Sequence, residues 1–295
     1  MNFKTRLNET ATLAENRLQQ IFLAKEQKAK KLDDAISYSA LGGGKRLRAY
    51  LVHEFCELLD VDCKKSTDYA CAIEMIHAFS LVHDDLPAMD DDDMRRGKPS
   101  NHKAFGEATA ILAGDSLALD AFFVAGENKY CSAEQNLKAV TLLSQKSGSI
   151  GMCAGQQFDL DGEGKTLSID ELTTLVDLKT GALFSCACML GVIAANGNEK
   201  QMDLAKEFGI LIGRAFQITD DLLDIHSTPD ELGKTIGKDI EQQKSTFVSL
   251  LGEDEARIYA EECIIKAKLC LYAFPKNEAY QRLADFCDYI LIRSK

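Results

Sequence analysis

Residues 213–225 read GRAFQITDDLLDI, and this stretch decides the fold. Ala215, Phe216, Ile218, Leu222, Leu223 and Ile225 describe a buried helix into which Asp220, Asp221 and Asp224 have been placed. At roughly 100° per residue, Asp220 and Asp224 share one helical face, with Asp221 beside them. Carboxylates this close repel one another, and a mostly apolar helix gives them little water. A positive partner has to sit there, and an all-oxygen donor set with room for phosphate points to Mg²⁺.

A second acidic run lies upstream at residues 81–97, LVHDDLPAMDDDDMRRG. It supplies Asp84, Asp85 and Asp90 to Asp93. Pro87 has no helical N–H to give, so the helix leading into this run is expected to end or distort there. On an ideal helix Asp84 and Asp91 share a face, whereas Asp84 and Asp90 stand about 120° apart. Bringing Asp90 beside Asp84 therefore needs an unwound backbone around Pro87, and Asp91 is the alternative ligand.

The surroundings of both runs read as helices. The chain has 295 residues, 46% of them apolar, and 4 prolines, and the β-branched alternation that marks strands is missing. Hydrophobic spacing predicts a polar, amphipathic opening over 2–30. Helices follow at about 32–40, 46–59 and from 68 into the first acidic run, then at 104–128, 132–149 and 151–160. The last set is expected at 170–195, 200–225, 241–251, 254–273 and 277–292. Ser168 and Glu171 have capping-box spacing. Residues 180–198 lack formal charge over nearly a membrane-span length, but their glycines, Ser185 and Asn196 indicate a helix packed inside a bundle. No linker or repeat divides the chain. The expectation is all-α: one domain over 1–295, a bundle of about a dozen helices.

Net charge is −12 and the pI is about 5.0, which excludes non-specific binding to nucleic acid or anionic membrane. The ten cysteines form no CxxC pair, and most sit among apolar neighbours. Buried, reduced thiols in a cytoplasmic protein are expected, and the N-terminus lacks the apolar core of a signal peptide. Charge is instead concentrated locally: GGGKRLR with Lys45, Arg46 and Arg48, Arg95 and Arg96 after the first acidic run, and a loop with Lys234 and Lys238. Taken singly, an Asp-rich run is a solvated turn and a basic turn a helix cap. Together they describe one anion-plus-metal site, with carboxylates on Mg²⁺ and Mg²⁺ on diphosphate oxygens.

The ordered set GGKRLR, EMIHAFSLVHDD, DDLPAMD, DMRRG, AILAGD, KTGAL, FQITDDLLD and LGK resembles the isoprenyl diphosphate synthases (trans-prenyltransferases), of the bacterial short-chain farnesyl type. DDLPAMD is similar to the first aspartate-rich motif in its DDxxxxD form, and DDLLD to the second. The resemblance implies an isoprenoid-synthase bundle around a deep central cavity, a polyprenyl synthetase domain over the whole chain, and a homodimer. It implies that Asp84, Asp90 and Asp220 hold Mg²⁺, three ions with the allylic diphosphate bound, and that Asp85, Asp221 and Asp224 support them. Arg95, Lys179 and Lys234 would contact the allylic diphosphate. Lys45, Arg48, His77 and Arg96 would hold isopentenyl diphosphate, and Thr180 and Gln217 would line the reacting carbons. Phe79, five positions before the motif and roughly 7.5 Å back along the helix, would floor the pocket at the fifteen-carbon product. The small Ser80, on the Asp84 face, argues against a stop at ten carbons.

Some features depart from the pattern or stay outside it. Ala49 stands where many relatives have Pro, a helix-start detail. Arg293 and Lys295 resemble basic tail residues that approach the site. His53, His83, His102 and His226 receive no role. Rival readings are a terpene cyclase or longer-chain synthase on the same fold, a di-iron carboxylate bundle from Glu74 and His77, and a non-catalytic subunit. A cyclase pairs one Asp-rich motif with a different triad, a di-iron site needs a second ExxH, and a binding-only subunit would be expected to lose an aspartate set.

Overall fold

The computed structural model describes residues 2–24, 28–226 and 244–292. In chain order the elements are α1 (Phe3–Leu23), α2 (Lys30–Ala40), α3 (Leu47–Glu57), α4 (Thr67–Asp84), the two-residue strands β1 (Met94–Arg95) and β2 (Lys98–Pro99), α5 (Asn101–Phe105) and α6 (Glu107–Gly126). Then come α7 (Ala133–Ser147), α8 (Met152–Gly162), α9 (Ile169–Val176), a π turn (Asp177–Gly181), α10 (Ala182–Ala194), α11 (Glu199–His226), α12 (Phe247–Leu251), α13 (Glu253–Leu271) and α14 (Glu278–Ile292). The architecture is all-α, as the periodicity predicts. The short β1–β2 ribbon is the exception. Arg96 and Gly97, with φ of 53° and 74°, form a two-residue turn of the kind that joins hairpin strands.

The uncharged stretch becomes α10, which packs between α3, α7 and α11 with nearly every side chain buried. Around it Tyr50, Phe55, Tyr69, Phe184, Phe208 and Phe286 fill the core. A second apolar cluster of Leu172, Leu175, Ile218, Leu222 and Phe247 ties α9, α11 and α12 together beneath the later aspartates. The Ser168 capping box forms: Glu171 N–H donates to Ser168 Oγ, and the Glu171 carboxylate accepts from Ser168 N–H. The helix predicted over 104–128 is broken at Gly106, whose φ of 90° separates α5 from α6.

Two buried ion networks fasten the outer helices. Glu54 on α3 accepts from Arg6 of α1 at 3.0 Å and from Arg282 of α14 at 2.7 Å, and Glu57 bridges the same two arginines. Glu74 on α4 accepts from Arg46 at 3.3 Å and from the Ala49 N–H at 3.0 Å. The second contact caps the first turn of α3 from a distance. It explains Ala49: a proline there would have no N–H for Glu74.

Candidate active site

The backbone of the acidic turn is unwound around Pro87. α4 stops at Asp84, and the chain folds back so that Asp90 N–H donates to the Asp84 carbonyl at 2.9 Å and Asp92 N–H to the Asp85 carbonyl at 3.2 Å. Asp91 takes a left-handed φ of 47° and is exposed, whereas Asp90 turns inward. Asp90 then shares a cavity of about 220 Å³ with Asp220, Asp221 and Asp224 of α11, and with Lys179, Thr180 and Gln217. The two acidic runs, some 130 residues apart in sequence, thus meet across one space.

The carboxylates play different parts. Asp84 is deeply set, and burial, with Asp90 adding repulsion, pushes its carboxyl up to about 6 despite the nearby Lys179. A carboxylate held in that condition favours a cation, so the donor set fits a hard divalent ion. Asp85 is not brought into this ring. It is buried against Arg95, whose Nε donates to it at 2.9 Å and whose second nitrogen donates to both Asp85 and Asp92. Asp221 accepts from Gln217 Nε2 at 3.0 Å and from Phe247 N–H at 3.1 Å, so it orients Gln217 and anchors α12.

Lys179 and Thr180 sit on the π turn. The extra residue in that turn interrupts the helical ladder, as is common at functional sites. Close glycine contacts seat it. A Cβ on Gly155 of α8 would lie 2.2 Å from the Lys179 nitrogen, and one on Gly213 of α11 2.6 Å from the Gly181 Cα. Arg214 grips Asp177 with two nitrogens at 3.0 and 2.6 Å, which pins α11 to the turn. Thr180 Oγ1 consequently donates to Gln217 Oε1 at 3.4 Å.

A larger cavity of about 560 Å³ adjoins the first, with Lys179 and Thr180 lining both. Arg48, His77 and Asp84 line it together with Phe79, Ser80, Ile111, Met152 and Leu160, and its wall is mostly apolar. The Arg48 guanidinium lies 4.7 Å from the Phe184 ring centroid, its Nε is buried without a hydrogen-bond partner among the described residues, and burial pulls it down to about 10. Burial and the nearby arginines, Arg48 first, hold His77 neutral, well below the usual histidine range. Arg96, with its left-handed backbone, reaches back to the Gly43 carbonyl at 2.5 Å. Lys45 is exposed, 5.5 Å from the Tyr289 ring centroid. Arg46, one of the basic cluster in the sequence, turns the other way into Glu15 and Glu74. Lys234, Lys238, Arg293 and Lys295 lie outside the described residues.

Two charged residues of the smaller cavity escape sequence reasoning. Asp159 on α8 accepts from Lys179 at 2.7 Å and from Lys244 at 2.9 Å. Burial pushes its carboxyl up, but the two ammonium groups outweigh that and hold it below the usual range. The available signal was helical spacing: Gly155 and Asp159 are one turn apart, so both face the π turn.

A family profile described as polyprenyl synthetase matches residues 29–268. Among curated proteins, the chain is 40% identical over 288 residues to a farnesyl diphosphate synthase of Haemophilus influenzae, covering 97% of each. It is 38% identical over 294 residues to a chloroplastic geranylgeranyl pyrophosphate synthase of Capsicum annuum, covering 99% of this chain and 79% of that one. Among solved structures, an apo FPP/GFPP synthase of Zymomonas mobilis superposes with a TM-score of 0.86 at 37% identity, covering 98% of both chains.

Proposed function

This chain belongs to the polyprenyl synthetase family, and on that premise we propose that it condenses isopentenyl diphosphate with dimethylallyl and then geranyl diphosphate to give farnesyl diphosphate. It is a short-chain trans-prenyltransferase; the fifteen-carbon product is the finer reading. The observation that carries it is the meeting of an aspartate-lined cavity with a larger, mostly apolar one at Lys179 and Thr180.

Asp84, Asp90, Asp220 and Asp224 would hold Mg²⁺, which when bound neutralises diphosphate oxygens. The side chains do the rest. Lys179, with Arg95 and Lys234, takes up charge as the allylic C–O bond breaks; Lys179 exchanges its hold on Asp159 for the departing diphosphate. The carbocation left behind faces the Thr180 hydroxyl and the Gln217 carbonyl, whose paired dipoles stabilise it without adding to it. Asp221 keeps Gln217 in that orientation. Arg48, its Nε unpartnered among the described residues, and neutral His77 hold isopentenyl diphosphate beside it, together with Lys45 and Arg96. The isopentenyl double bond forms the new C–C bond, and the proton lost from the adduct passes to the departed diphosphate.

Phe79 lines the apolar cavity, and as its floor it would set a fifteen-carbon limit; geranylgeranyl diphosphate is the alternative that the same site permits. Purified protein given Mg²⁺, isopentenyl diphosphate and dimethylallyl or geranyl diphosphate is expected to release diphosphate and a linear fifteen-carbon product. Phe79→Ala is expected to shift the main product to twenty carbons or more. A cyclic hydrocarbon from the wild type would overturn the reading, and an unchanged chain length in the variant would remove Phe79 as the floor.

We also propose that the protein works as a homodimer. The support is the outer face of α6, where Leu112, Leu119 and Phe123 are 54%, 69% and 65% exposed, with Leu137 of α7 beside them at 68%. Light scattering behind a sizing column is expected to return twice the 32.5 kDa chain mass. Leu119→Glu combined with Phe123→Glu should bring it to the single-chain value; a wild-type monomer would refute the assembly.

A further inference from the structure

His83 has no part in the chemistry above, yet the structure gives it a specific seat. It lies one turn after Phe79 on α4, and the two rings meet edge to face, centroids 5.3 Å apart and planes at 90°. Its Nε2 is 3.1 Å from the Ile111 carbonyl of α6. A carbonyl only accepts, so Nε2 carries the proton and donates. The ring fits there because residue 114 is glycine: a Cβ at Gly114 would lie 2.2 Å from His83 Nε2 and 2.4 Å from Cδ2. Ile111 and Gly114, three apart, share the face of α6 that looks onto α4. Asp115 also approaches the ring, its carboxylate 3.9 Å from Nε2. Phe79, His83 and Ile111 all line the apolar cavity.

We propose that His83 is a positioning residue for product length: seated in the Gly114 notch, it braces Phe79 so that the floor cannot swing toward α6. This deepens, and rests on, the prenyltransferase reading. The physical basis is that an aromatic side chain at a cavity end keeps one rotamer only while neighbouring atoms fill the alternatives. Remove the imidazole, and the space between α4 and α6 becomes the space into which Phe79 turns. The hydrogen bond to Ile111 fixes the ring plane, and the ring plane fixes the edge-to-face contact.

Two substitutions from opposite sides test it. His83→Ala removes the brace, and Gly114→Ala fills the notch and displaces the ring. Both are expected to raise the ratio of products at least five carbons longer to the wild-type product by tenfold or more. In Phe79→Ala, adding His83→Ala is expected to change the ratio less than twofold, because the brace acts through Phe79. Thermal melts identify any variant that fails to fold. Crystal structures of the two single variants read Phe79 without relying on turnover: a ring turned toward α6 supports the proposal, and an unmoved Phe79 overturns it. An unchanged chain length in His83→Ala, alongside lengthening in Phe79→Ala, also overturns it, as does further lengthening in the double variant. Wild-type protein that makes no linear prenyl diphosphate would sink the enzymatic reading, while the crystallographic arm would still decide the role of His83.

Discussion

Asp84→Asn is expected to lower turnover by about 10²–10³-fold, the usual loss when one electrostatic partner of a developing charge is removed, while making the metal-free protein more stable at neutral pH. Both effects come from one cause. The fold raises the Asp84 carboxyl from 3.8 to about 6, through burial and then Asp90. A group raised in this way stabilises the fold in its protonated form. That contribution is fully present below about pH 4 and is lost as pH rises through about 6. Asparagine does not titrate, so it keeps what the ionised aspartate gives up, on the order of 2–3 kcal/mol at pH 7.5. Urea denaturation in the presence of a chelator should show the variant ahead at pH 7.5 and level near pH 4. Equal stability at both pH values would show that the site does not confine a repelled carboxylate.

Glu54→Ala is expected to be the most damaging change far from the chemistry. Glu54 is fully buried and accepts from Arg6 and Arg282, which belong to the first and last described helices. Removing it leaves two inward-facing guanidinium groups sharing Glu57, with the half-exposed Glu9 and the exposed Glu278 at their outer edges, together with a cavity. Breaking a buried charge network in this way typically removes about 3–5 kcal/mol. The measurement is the denaturation midpoint at constant slope, with Mg²⁺ affinity as a control expected to hold. A loss under about 1 kcal/mol would mean that Glu57 suffices.

The sequence made the helices, the two acidic runs and their meeting legible, because apolar periodicity and Pro87 act locally. It left Asp90 and Asp91 as alternative ligands, and the fold-back onto the Asp84 carbonyl, which turns Asp90 inward, depends on backbone contacts that helical spacing does not encode. Other features depend on partners far away in the chain. Arg46 and Arg48 are both basic and two apart, yet a left-handed backbone at Arg46 sends its side chain into Glu15 and Glu74, while Arg48 faces the cavity. Asp84 and Asp85 are adjacent and identical, but the β1–β2 turn hydrogen-bonds Arg95 to Asp85 and Asp92, while Asp84 lines the cavity. Asp159 acquires meaning from Lys179 and Lys244, 20 and 85 positions further on. No local pattern encodes such pairings.

The π turn has a consequence for how this site can be inherited. Such a turn is one residue longer than the α-turn it replaces. Losing one residue between Asp177 and Gly181 would restore the ordinary winding, leave the flanking helices near their present register, and rotate the residues inside the turn about the axis by up to roughly 100°. Lys179 and Thr180 would no longer point where α8 and α11 expect them. In this lineage the reading frame of a helix, counted in single residues, is therefore as much a part of the site as the side chains it displays.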